Sequence, residues 1–344
     1  MSNLTIGGYE IAPGSTLQIE MPVIRLYTDT DISMPIHVMR ARKPGPTVFV
    51  AGAIHGDEIN GIEIIRRLIQ KKSFRLTCGT LILVPIVNVY GVLNQSRYMP
   101  DRRDLNRSFP GSERGSLAAR VADTFLTEIV DLCEYGIDLH TGAIHRSNTP
   151  QIRANLDDEE TRELAMAFDV PVIIDAPVRD GTLRKAAAER DTKILLYEAG
   201  EALRYDEFSI RAGVRGIENV LGKLGMLRKK RKVENTNTPF IANNSSWTRA
   251  NASGIVNNLK ALGDYVAEGD QLAHIGTPFG EVLDTVTASR DGIIVGKQNI
   301  PLVQEGDAMF HIAYFSNDDE EDVAETIRDL ADELLLGSDS QPVA

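Results

Sequence analysis

"VFVAGAIHGDEINGIEIIRRLI", Val48 to Ile69, is the stretch that decides the fold. It opens as a short apolar run, the kind that forms a strand buried on both faces. It ends as an amphipathic helix. At the turn between them stand His55 and Glu58, three residues apart. Open α/β sheets place their ligands outside the carboxyl ends of the strands. An imidazole and a carboxylate therefore sit where such a sheet binds.

The same rhythm continues outward. Apolar runs at "TVFVAGAI", "TLILVPIVN", "YGIDLH", "VPVIID" and "KILLYEAG" read as strands. Helical patterns cover Glu58–Lys71, Leu117–Leu132, Asp158–Phe168 and Tyr205–Leu224. Alternating strands and helices predict an α/β domain with a mixed sheet flanked by helices. Before it, residues 1–45 read as an N-terminal β segment, with alternating runs such as "TLQIEMPVIRLYT". The α/β domain is expected over residues 46–235, a β-barrel-like C-terminal domain over 236–316, and an acidic helical tail over 317–344.

The composition bounds the partners. A chain of 344 residues is long enough for more than one core. Its net charge of −12 argues against nucleic acid and anionic membrane. The two cysteines, Cys78 and Cys133, make no disulfide framework and fit a reducing compartment. The N-terminus lacks the basic and apolar regions of a signal peptide. No apolar run approaches the roughly 18 residues of a membrane span. A soluble cytoplasmic protein is expected, free to form a homo-oligomer. The basic run Arg228–Lys232 reads as a solvated helix end before a polar linker.

In the C-terminal part, "GDYVAEGDQLAHI" recurs as "NIPLVQEGDAMFHI". The shared V-x-E-G-D-x-x-x-H-I suggests two related β units, and the region resembles the barrel-sandwich hybrid of biotinyl and lipoyl domains. Those domains carry a cofactor on a hairpin lysine. The hairpin stretch "GTPFGEVLDTVTASRDG", Gly276 to Gly292, has no lysine, which argues against a swinging arm. His274 and His311 hold equivalent places in the repeats and read as structural, with a metal pair as the alternative. In the tail, Val323, Ile327, Leu330 and Leu334 recur at helical spacing, giving a surface amphipathic helix; the last eight residues read as disordered.

Four motifs carry chemistry. Zinc takes imidazole nitrogen and carboxylate oxygen, and a catalytic site uses three protein ligands. His55 and Glu58 supply two. His140, at the end of "EYGIDLH", supplies a third, preferred over His145 beyond the following turn. A zinc hydrolase also needs a general base. Glu198 ends the buried run "KILLYEAG", where a carboxylate is tolerated poorly unless paired or functional. In "SRYMPDRRDLNRSFPG", four arginines lie within eleven residues. Arginine's rigid fork suits planar carboxylates, and Asn106 beside Arg107 adds a further donor. Arg102 and Arg103 best fit a salt-bridged surface loop.

In order, H-x-x-E, R-Y…D-L-N-R, D-L-H-T-G and Y-E-A-G resemble the succinylglutamate desuccinylase/aspartoacylase family, a branch of the zinc carboxypeptidase-like hydrolases. The resemblance spans Thr47 to Leu224. It implies one Zn2+ per chain on His55, Glu58 and His140, with Glu198 as base. It implies that Arg97 polarises the scissile carbonyl and that Asn106, Arg107 and Arg184 hold a substrate carboxylate. The expected activity is hydrolysis of the amide of an N-acyl amino acid. The alternatives are a metallocarboxypeptidase acting on short peptides and a non-catalytic metal-containing binding protein.

Overall fold

A computed structural model describes residues 4–228, 239–314 and 322–336. Most of the basic run at 228–232 and the last eight residues lie outside the described residues.

The expected α/β core is present. Thr47–Gly52, Thr80–Val84, Tyr135–Gly142 and Lys193–Glu201 form its centre and run parallel. Alternate residues of each strand face opposite layers. Phe49, Ala51, Ile82 and Val84 pack under the helix Leu117–Glu128 through Val121, Ala122 and Phe125. Val48, Val50, Leu81 and Leu83 face the other layer, which Asn60–Gln70 and Glu207–Lys223 cover with Ile64, Ile65, Leu68, Ile217 and Leu221. Both faces of the central strands are thus dry, which is why these strands read as continuous apolar runs rather than alternating ones.

The helices start where polar caps allow. Ser116, Asp158 and Asp206 accept backbone N–H groups from Ala119, Thr161 and Ser209. The helix predicted from Glu58 begins instead at Asn60, because Asp57 and Glu58 are held in the turn that forms the site. The helix predicted to run to Leu132 breaks at Ile129 and continues as a 3-10 turn, Val130–Leu132.

The sheet reaches further than the core. Thr16–Arg25 and Asp31–Arg40 form a hairpin that adds to Thr80–Val84, so the N-terminal segment extends the catalytic sheet. On the opposite side Arg146–Ala154 runs antiparallel to Lys193–Glu201. Gly292–Gln298 then pairs with residues Arg146 to Asn148, followed by Ala308–Tyr314 and Asn244–Arg249. Hydrogen bonding therefore crosses residue 235, where the sequence suggests a change of domain. A separate four-stranded sheet completes the C-terminal β-rich part, and both repeats contribute to it or to its neighbour: His274 lies on the four-stranded sheet and His311 on the large one. The tail helix, Asp322–Leu336, docks on Glu207–Lys223, where Arg211 donates to the Leu334 carbonyl and Arg215 pairs with Glu333.

Candidate active site

Three strand ends meet at one place. His55 follows Thr47–Gly52, His140 lies within Tyr135–Gly142, and Glu198 is its register neighbour on Lys193–Glu201. Asp138, two residues before His140, shares its face of the sheet. Gly56 lets the next segment close over the site: a Cβ there would lie 1.9 Å from the Gly91 carbonyl carbon. That approach brings in the loop carrying Arg97 and Asp104.

Glu58 stands between the two imidazoles. Its Oε1 is 2.7 Å from His55 Nδ1, and its Oε2 is 2.7 Å from His140 Nδ1. Each ring is held from behind by a carboxylate. His55 Nε2 lies 3.1 Å from Asp104 Oδ1, and His140 Nε2 lies 2.8 Å from Asp138 Oδ2. With Nε2–H donated to Asp104 or Asp138, a neutral ring turns its Nδ1 lone pair toward the point that Glu58 faces. This is the arrangement that orients metal-ligating histidines. The ligand atoms of His55, Glu58 and His140 lie within 4.8 Å of one another, and all three residues are buried.

The electrostatics favour a cation at this point. Burial opposes charge on His55, yet Glu58 and Asp104 outweigh it and raise its pKa. Burial likewise opposes charge on His140, and Asp138 and Glu58 raise it well above the ordinary value. Glu58 itself resists desolvation and is held far below the usual carboxylate range by the two histidines. A donor set of two imidazole nitrogens and one carboxylate, pre-oriented and selective for positive charge, fits a divalent metal ion.

Around the cluster stand the polar groups. Arg97 donates to Glu58 Oε1 at 3.1 Å and to Asp104 Oδ2 at 3.0 Å, so its guanidinium reaches the cluster directly. Glu198 Oε2 accepts from Arg153 Nε at 2.9 Å and from Asn148 Nδ2 at 3.3 Å. Arg184 donates to the Ala176 carbonyl at 2.9 Å. Burial first, then the positive charge of Arg153, lowers its pKa, while Asp138 and Glu198 oppose the shift. Arg184 and Arg153 thus share the electrostatic neighbourhood of Glu198.

Asn106 and Arg107 stand on the same loop as Arg97. Asn106 is buried, and its Oδ1 accepts from the Leu183 N–H at 2.9 Å. It ties its loop to the helix Leu183–Ala188 that bears Arg184. Arg107 is exposed and donates to the Asn106 carbonyl. His145 stays outside the metal-type cluster, with its side chain 54% exposed. Arg102 and Arg103 are exposed loop residues. Asp104, Asp138 and Arg153 were missed by sequence reasoning. The signal for Asp138 was present in "DLH", since residues two apart on a strand face the same way.

A cleft of about 470 Å³ opens beside the cluster. Asp57, Arg97 and Tyr98 line one side, and Gln298, Leu302 and Asp307 of the C-terminal β region line the other. That volume suits a small ligand.

A family model described as the succinylglutamate desuccinylase/aspartoacylase catalytic domain matches residues 44–224, more than half of the chain. The chain belongs to this family. It is 29% identical over 294 residues to an N-alpha-acetyl-L-2,4-diaminobutyric acid deacetylase of Halomonas elongata, covering 82% of this chain and 86% of that one. The product-bound ectoine utilization protein EutE of Ruegeria pomeroyi superposes with a TM-score of 0.78 at 24% identity, over 88% of this chain and 98% of that one. A succinylglutamate desuccinylase/aspartoacylase structure from Rhodobacter sphaeroides gives 0.76 at 23%, over 87% and 96%. These structures have the same fold as this chain. Family membership supports the amide-cleaving deacylase that the four motifs imply. No helix among the described residues is long and apolar enough to cross a membrane.

Proposed function

We propose that this chain is a zinc-dependent hydrolase that removes a small acyl group from the amino nitrogen of an N-acyl amino acid. The buried His55–Glu58–His140 cluster, backed by Asp104 and Asp138 and with Glu198 in register beside it, carries the reading. Two imidazoles and a carboxylate suit zinc, one ion per chain. Zinc bound there would supply Lewis acidity toward an amide carbonyl and lower the pKa of a water.

The chain's own groups do the rest. Glu198 takes a proton from the attacking water and returns it to the leaving amine. Arg97 faces the cluster and stabilises negative charge growing on the carbonyl oxygen, the kind of term that often dominates acyl transfer. Arg184 supplies a cation for the substrate carboxylate, with Asn106 anchoring its helix and Arg107 at the exposed rim. Such contacts fix orientation before reaction. The C-terminal wall of the cleft supports a substrate of single-amino-acid size over a peptide. The free Cys78 and Cys133 agree with a cytoplasmic enzyme, and the charge of −12 with the absence of nucleic-acid or membrane partners.

The relative from Halomonas elongata suggests Nα-acetyl-L-2,4-diaminobutyrate as the first substrate to try. The test is a hydrolysis screen of N-acetyl, N-succinyl and N-formyl amino acids, with short peptides as contrast, using zinc-loaded protein. Release of free amino acid from at least one acylated compound is expected. Cleavage of peptides alone would make the chain a metallocarboxypeptidase, and no cleavage at all would make it a binding protein.

A further inference from the structure

The C-terminal β region does more than wall the cleft. Arg153 holds Glu198 Oε2 with its Nε at 2.9 Å, and its NH2 group lies 3.4 Å from His311 Nδ1. His311 belongs to the C-terminal strand Ala308–Tyr314. Its buried ring stacks on Trp247 with centroids 4.8 Å apart and planes 8° from parallel, and the Arg146 guanidinium carbon lies 5.1 Å from the centre of that indole. The imidazole has little freedom to turn. Burial and then the charge of Arg153 push its pKa down to about 3, so it is neutral and offers a lone pair to the guanidinium.

The second group on Glu198 is braced the same way. Asn148 donates to Glu198 and is the register partner of Gly296. A Cβ at Gly296 would lie 2.7 Å from Asn148 Oδ1 and 3.1 Å from His311 Cβ. Trp247, His311, Gly296 and Asn148 therefore form one row across four hydrogen-bonded strands.

We propose that Arg153 and His311 are positioning residues, through which the C-terminal β region fixes the carboxylate of Glu198 for proton transfer. The proposal rests on Glu198 being the base. A carboxylate pinned by two donors, each held in turn by packed groups, keeps the orientation that proton transfer needs.

The experiment uses the full zinc-loaded chain with Nα-acetyl-L-2,4-diaminobutyrate, comparing His311→Phe, His311→Gln, Arg153→Met and Glu198→Gln. His311→Phe keeps a ring on Trp247 but removes the acceptor. Its kcat should fall about tenfold or more, in the range seen when outer partners of active groups are lost, with KM and zinc content unchanged. His311→Gln, which restores an acceptor, should recover much of the rate. A crystal structure of His311→Phe should show the Glu198 carboxylate displaced from Arg153. Parent-like kcat with Glu198 still on Arg153 overturns the proposal, as does a loss that appears in KM and thermal stability and that His311→Gln leaves uncorrected. If His311→Phe does not fold, Arg153→Met decides by the same readings. Should Glu198→Gln turn over at the parent rate, the base assignment falls. Should it be slow while Arg153→Met and His311→Phe match the parent, only the positioning role falls.

Discussion

The molecule buries imidazoles in two regions, and treats them in opposite ways. At the strand ends, His55 and His140 are surrounded by Glu58, Asp104 and Asp138, and their pKa values rise. In the C-terminal β region, His311 lies between an indole and a guanidinium, and its pKa falls to about 3. Burial is common to both and pushes the same way in both. The sign of the neighbouring charge decides which histidine attracts a cation and which serves as a neutral acceptor. The repeats make the point within one motif. His274 and His311 occupy the same step of V-x-E-G-D-x-x-x-H-I, yet His274 is partly exposed and contacts Gln271. The repeat sets the backbone, and the adjoining sheet sets the chemistry.

The contrast can be broken at several points. The largest effect belongs to His140→Ala, which should abolish stoichiometric zinc and with it turnover. Metal analysis checks this, and full zinc in that variant would remove His140 from the site. Next is Glu198→Gln, which should keep zinc and substrate affinity while kcat falls by at least about 10²-fold, typical of losing a general base. Steady-state kinetics with zinc content separates the two cases. Asp138→Ala removes the acid behind His140 and should weaken zinc binding roughly 10- to 100-fold, measured by competition with a chelator. An unchanged affinity would show that the ring is oriented by Glu58 alone.

A smaller effect separates the arginines. Arg184→Ala should raise KM more than Arg107→Ala, because Arg184 is near Glu198 and Arg153 while Arg107 is exposed at the rim. The reverse order would put the carboxylate site at the rim. The smallest effect is on stability. His311 has a depressed folded pKa, so its neutral form stabilises the fold above its ordinary value of 6.5, and this is lost as pH falls toward about 3. Between pH 7.5 and 5 the metal-free parent should lose about 2 kcal/mol more than His311→Phe. Urea unfolding at the two pH values measures it. His274→Phe should keep the parent's pH dependence, and a matching loss of dependence there would erase the contrast between the repeats.

The centre of the candidate site was legible in the sequence, and little of its support was. His55, His140 and Glu198 were legible because each sits where an apolar run meets a glycine-containing turn. Asp138 was half legible, two residues from His140 on one strand. Asp104 was not legible, because its contact with His55 spans 49 residues of chain. Arg153 and His311 were out of reach, 158 residues apart. Their meeting depends on the antiparallel pairing of Gly292–Gln298 with both of their strands in one sheet, and no local pattern specifies it. Asn106 shows the converse: a motif singles out a residue without saying whether its side chain meets a ligand or, as with the Leu183 N–H, the backbone.

The pairing of Gly292–Gln298 with Arg146 to Asn148 has a consequence for anyone who would trim or graft this protein. A chain ending near residue 228 would strip that partner away, together with Phe240–Ala242, which pairs with Val172–Ile174. Two raw strand edges would then face solvent, a ready template for sticking to other chains. The catalytic part should precipitate when expressed by itself. Its C-terminal portion is better regarded as the selvage of the cloth than as a detachable pocket sewn onto it.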